Sequence, residues 1–263
     1  MRGDPRRKRT SISYKSDEIL HLNLGGARLP VEEVAADGLD RDYSGRLGPL
    51  RALVAAGDPV ERLEACYLLL AWGDPAGYDE LVVWCASPEP PARLLGDDDA
   101  FARLGDAISQ THYLAPTPDL ILLQRRGVRA LLGVAGRAPL GRILLALLSG
   151  FSEAVSTLGE DVRDAAMAAA AAALAPGAPA WLALQAATML QPLAEADDNL
   201  AAQIARKLIA QRPKAAREVA FSLGHGGRGL ASLAVLRELT TWPEQSVAAP
   251  AREAVVRRVT GGE

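Results

Sequence analysis

The stretch "GDPVERLEACYLLLAWGDP" (Gly57–Pro75) opens and closes on the same tripeptide, with an apolar segment of helical length between. Its reading decides the fold. Asp58 offers a carboxylate to the free N–H groups of a helix start, and Pro59 suits the first helical position, where its missing N–H would be unpaired anyway. Val60, Leu63, Tyr67 and Leu70 recur at helical spacing and predict one apolar stripe. Gly73 is placed to stop the helix in a left-handed conformation, and Asp74-Pro75 repeats the start signal. The doubled tripeptide is therefore helix punctuation: a helix, a tight turn and a second helix.

The unit has an echo. "LRALVAAGDP" (Leu50–Pro59) aligns with "LVVWCASPEP" (Leu81–Pro90) at an offset of 31 residues, pairing Pro59 with Pro90 and Asp58 with Glu89. Such a period predicts stacked supersecondary units. Further helix-length segments are expected at 98–112, 118–133, 138–149, 152–158, 160–174, 179–193, 197–211, 214–223, 229–240 and 246–259, after those at 44–56, 58–72 and 76–86. Nearly every junction carries Gly, Pro or an Asp/Ser cap signal, and short connections imply antiparallel neighbours.

These residues resemble the HEAT repeat, whose first helix commonly opens with Asp-Pro, followed by Val-Arg and then Ala. Asp58, Pro59, Arg62 and Ala65 fall on that pattern, with Glu61 where Val is usual. "EDVRDAAMAAAAAAL" repeats it at Val162, Arg163 and Ala166, and "KAAREVAFSLG" at Arg217 and Ala220, with Ala216 replacing Val. "SVAAPAREAVVRRV" resembles a terminal unit interrupted by Pro250. The resemblance implies an all-α fold, an α-solenoid of stacked antiparallel helix pairs over residues 31–263. It also implies that Asp58, Pro59, Arg62, Arg163 and Arg217 are structural repeat positions.

Residues 1–30 read differently. "MRGDPRRKRT" forms a basic arm, with five basic groups and one acid. "TSISYK" and "EILHLNLGG" then alternate apolar and polar positions around "KSDE", which predicts a short β-hairpin; a short helix capped by Ser16 is the alternative. Such a hairpin must dock on another element to be stable.

Bulk properties narrow the function classes. The formal charge is −3, so the chain after its first ten residues carries −7, the wrong sign for a body that grips nucleic acid. Two cysteines make no disulfide framework, and no secretory apolar region follows the basic start, so a cytoplasmic location is expected. The uncharged run Ala165–Ala194 is long enough to span a bilayer, but "PGAP" (Pro176–Pro179) divides it, which predicts a buried helical hairpin and no membrane insertion.

Candidate chemistry is sparse. His21, His112 and His225 lie far apart in sequence, and Cys66 and Cys85 read as buried packing thiols, so no metal, cofactor or catalytic set is expected. "GDDDAF" (Gly96–Phe101) lacks the ligand spacing of a calcium loop and reads as an acidic helix start. "LGHGGRGL" (Leu223–Leu230) reads as a turn requiring positive φ, and it is the first candidate should a small anion bind. For partner binding, the acidic cluster Glu32, Glu33, Asp37, Asp40 and Asp42 and the loop residue Arg228 are the candidates. The expected function is a non-enzymatic protein–protein interaction module, a bacterial adaptor or an inhibitor such as a toxin-neutralising immunity protein. The alternative is a HEAT-like nucleic-acid-binding or base-excision protein, which the negative body disfavours.

Overall fold

The computed structural model describes residues 16–151, 157–227 and 229–260. Among them the fold is all-α. The basic arm, the first strand of the expected hairpin (12–14), most of the helix expected at 152–158, and Arg228 lie outside the described residues. The second hairpin strand is not a strand: residues 16–21 form a helix (α1), and Leu22 pairs with Arg28 in an isolated antiparallel bridge that closes a tight loop. Its apolar alternation fails because Leu20 inserts into a helical core, while Arg46 donates to the carbonyls of Ile19 (3.1 Å) and Leu22 and holds the helix end.

The helices gather into two compact units, 1–130 and 131–263, a division that the single array read from sequence did not draw. In the first unit, α1 is followed by α2 (Val31–Asp40), α3 (Ser44–Ala56), α4 (Pro59–Ala71), α5 (Pro75–Ala86), α6 (Pro91–Leu95) and α7 (Ala100–Gln110). The division falls within α8 (Pro118–Leu132).

α4 is the core of this unit. It packs against α2, α3, α5, α6 and α7, and its second half, Ala65 to Ala71, is buried on every side. The single stripe is therefore corrected: Val60 is 52% exposed, while Leu68, Leu69 and Ala71 are as buried as Leu63, Tyr67 and Leu70. A helix apolar all round is one enclosed by others. The punctuation is as the residues indicate. Asp58 accepts from the N–H groups of Val60 and Glu61, both at 3.0 Å, and Glu61 accepts from the Asp58 N–H at 3.1 Å, a complete capping box. Gly73 has φ +70°, and Asp74 caps α5 through the Ala76 N–H.

The second unit continues with α9 (Ile143–Gly150), α10 (Gly159–Leu174), α11 (Ala180–Thr188), α12 (Leu190–Ala196), α13 (Asp198–Gln211), α14 (Ala216–His225), α15 (Leu230–Leu239) and α16 (Gln245–Val259). α10 packs on α11 and α12, α12 on α13 and α14, α13 on α15, and α14 and α15 on α16. Alanines make the close approach possible: Ala166, Ala169, Ala170 and Ala173 are the buried face of α10, and a Cβ at Gly136 would sit 3.0 Å from the Ala168 carbonyl. The helix expected at 179–193 is broken between Thr188 and Leu190, because Pro192 has no N–H to donate and its ring crowds the carbonyl of Thr188. Buried Gln185 binds the preceding loop, donating to the carbonyls of Ala135 and Ala138 and accepting the Leu140 N–H at 2.7 Å. No helix among the described residues is long and apolar enough to cross a membrane.

Candidate functional site

The acidic cluster is largely engaged within the first unit. Glu32 accepts from Arg103 on α7 at 3.0 Å. Asp37 accepts from the Tyr43 hydroxyl at 2.5 Å and pairs with Arg41, and Asp42 accepts from the Ser44 N–H at 2.8 Å. Bonds from the side chain and backbone of Ser44 hold the Asp42 carboxyl below its ordinary range. Glu33 and Asp40 are exposed on α2.

Glu32 belongs to a half-buried polar network that sequence reasoning missed. His21 on α1 meets Glu64 on α4 at 3.3 Å, and Arg103 bridges Glu32 and Asp97. One turn along α4, Tyr67 donates to Asp106 at 2.7 Å and receives the Gln110 amide at 2.6 Å. Burial raises the Glu64 carboxyl above its ordinary pKa, against the opposing pull of His21 and Arg103. Burial, seconded by Asp106, also raises Tyr67. The network locks α1, α2 and α7 to α4.

The repeat arginines occupy different settings. Arg62 donates to the Val54 carbonyl of α3 (3.1 Å) and to Glu80 of α5 (3.2 Å), and its guanidinium lies 5.4 Å from the Trp84 ring centroid. Arg163 pairs with Asp197 at 2.6 Å; that carboxylate caps α13 through the Leu200 N–H, and together these bonds lower its pKa. Arg217 is exposed on α14, and among the described residues no hydrogen bond or ion pair holds it. The neighbouring Arg212 instead binds the carbonyls of Ala173 and Ala175 at the end of α10.

The glycine-rich loop does not use positive φ. Gly226 has φ −79° and Gly229 φ −68°. Glycine is required there by close packing, since a Cβ at Gly226 would meet the Gln191 carbonyl at 2.7 Å and one at Gly229 would fall on the Asp198 carboxylate. That carboxylate accepts from the N–H groups of Ala231 (2.7 Å) and Ser232 (3.2 Å) at the start of α15, so these two N–H groups are engaged by Asp198. Arg258, its pKa lowered by burial, closes the loop from α16 through the carbonyls of Leu223, Gly226 and Gly229.

Two exposed features of the second unit remain. A half-open groove of about 470 Å³ lies along α13 and α15, lined by Ile209, Leu239 and Trp242 and crossed by the Arg206–Glu238 ion pair at 2.8 Å. The other is a ridge along α14, where Arg217, Phe221 and His225 follow one another at steps of four residues, preceded by Lys214 in the short 3-10 turn Pro213–Ala215 that leads into the helix, all exposed. The Phe221 ring lies 4.2 Å from that of His225, and the Arg142 guanidinium sits over it at 5.1 Å. Arg142 is fixed through its Nη2, which donates to both carboxylate oxygens of Glu218 (3.1 and 3.2 Å); Glu218 also receives the Thr188 hydroxyl. One turn before Thr188, Leu184 is 49% exposed on α11. Neither the aromatic nor Arg142 was found from sequence; the step from Arg217 to Phe221 and on to His225 was the available signal.

Among the described residues no three His, Cys, Asp or Glu side chains group to hold a metal ion. No family model, curated protein or solved structure matches the chain. The class defined by these features is an all-helical protein of two units with an exposed basic and aromatic ridge on the second.

Proposed function

We propose that the chain is a non-catalytic protein-interaction module, a HEAT-like helical array that engages its partner through the α14 ridge. The observation that carries this reading is Phe221, 37% exposed, with an arginine held over its ring by the Glu218 carboxylate. Exposed aromatics beside ordered arginines have the composition of binding hot spots, because they bury large area with little side-chain freedom left to lose. The array reading is supported by the packing of the second unit, where the helices in contact are near neighbours in sequence. An adaptor and a toxin-neutralising immunity protein are the two roles such a module would fill. A photo-crosslinking residue in place of Phe221, compared with one at exposed Arg257, tests the reading in the native cell. Capture of a discrete protein at 221 alone is the expected result; identical capture at both positions, or none, removes it.

A further inference from the structure

Building on that reading, we infer that the α14 ridge docks an acidic protein segment in which carboxylates flank an apolar anchor. The ridge has an order. Phe221 is central, Arg217 stands one turn before it and Lys214 another turn back, and His225 lies one turn beyond. Arg142, its side chain 64% exposed, adds a further cation, its guanidinium over the ring. The patch inverts the sign of a chain whose formal charge is −3, so a ligand drawn to it is selected against the rest of the surface. Glu218 is the acid that the geometry ties to this cluster, and it is committed to Arg142 and Thr188.

The apolar anchor is set by Phe221, and the helix that packs against α14, α11, carries a further exposed apolar residue, Leu184. An acidic peptide fits better than a nucleic acid. Base stacking needs an open aromatic face, whereas Phe221 already has His225 against it at 4.2 Å and Arg142 over it at 5.1 Å. Nucleic-acid affinity also rests on many phosphate contacts, and a ridge four side chains long offers few. A carboxylate on either side of one apolar residue, by contrast, meets Arg217 and Arg142 while its anchor covers the exposed ring edge.

The experiment uses the full chain and a short fluorescein-labelled peptide in which Glu flanks Leu and Phe, followed by fluorescence anisotropy. A matched peptide with Gln for Glu, and single- and double-stranded oligonucleotides, serve as competitors. Saturable, salt-sensitive binding of the Glu peptide is expected, weakened about tenfold or more by Lys214→Glu with Arg217→Glu. These side chains are exposed, so an unchanged melting curve verifies the fold of the variant, and Phe221→Ser provides an independent loss. Equal binding of the Gln peptide would overturn the acidic assignment while leaving an interaction surface in place. Displacement by an oligonucleotide would overturn it in favour of nucleic acid. No binding of the Glu peptide, or binding untouched by the charge reversal, would also overturn it.

Discussion

The Asp198 carboxylate receives the Ala231 N–H at 2.7 Å, capping α15 from a position 33 residues earlier in the chain. Its neighbour Asp197 caps α13 locally and binds Arg163. Two adjacent acids thus start two helices, and the second reaches its target only because Gly229 has no side chain. Asp198→Ala is expected to cost about 1–2 kcal/mol in urea unfolding, the range of a lost cap. Gly229→Ala is expected to cost about 1–3 kcal/mol, because its methyl displaces the same carboxylate. An Asp198→Ala/Gly229→Ala double variant no worse than Gly229→Ala alone is the signature of that shared site.

Glu64 makes the first unit sensitive to pH. Its carboxyl is raised above the ordinary value of 4.5, chiefly by burial, with His21, Arg103 and Glu32 as the charged groups facing it. A group raised on folding stabilises the fold below its unfolded pKa and loses that contribution as pH rises through the folded one. The stability of the native chain relative to Glu64→Gln is therefore expected to fall as pH climbs above 4.5. Urea midpoints of both proteins across that range measure it, and a rising difference would contradict the assignment.

Gln185 is a buried polar residue of the second unit with three backbone partners. Gln185→Leu keeps the volume but leaves the Leu140 N–H and the carbonyls of Ala135 and Ala138 without their buried partner. Each orphaned group costs about 1–3 kcal/mol, so a loss of several kcal/mol is expected by chemical denaturation.

Arg62→Ala is expected to lower the melting temperature by removing bonds to both α3 and α5, whereas Arg217→Ala leaves it unchanged. Asp58→Ala should cost about 1 kcal/mol, a lost capping-box partner.

The thiols give a direct test of the core. Cys66 is fully buried and raised well above its ordinary pKa by that burial, and Cys85 is 7% exposed. The native chain is expected to resist a disulfide reagent and to release two reactive thiols on denaturation.

Local chemistry was legible where one residue type has one use. Asp58, Pro59, Gly73 and Asp74 each do what their side chains predict, and the expected segments 160–174, 197–211 and 246–259 meet helices at Gly159–Leu174, Asp198–Gln211 and Gln245–Val259. α2 was missed because its charges drew a surface reading, while Val31, Val34 and Ala35 carried its buried face. The internal partners of the acidic cluster were not legible for a related reason: composition counts carboxylates but does not show which have an arginine or hydroxyl opposite. The ridge stayed hidden because Arg142 and Phe221 are distant in the chain and meet only through tertiary packing. The part played by Asp198 at the glycine-rich loop was not legible either, since nothing in the loop announces a carboxylate from α13.

The neighbour-to-neighbour packing of α10 through α16 also bears on how the second unit comes apart. Contacts confined to nearby helices are made quickly, since little loop entropy is lost in closing them. The same locality means that separation need not be all at once: one end can open while the other persists. Arg258, which draws one carbonyl near the end of α14 and two of the loop after it onto α16, opposes that opening at the C-terminal end. Amide exchange should therefore be graded along the unit, with the end of α14 kept in register by the Arg258 guanidinium.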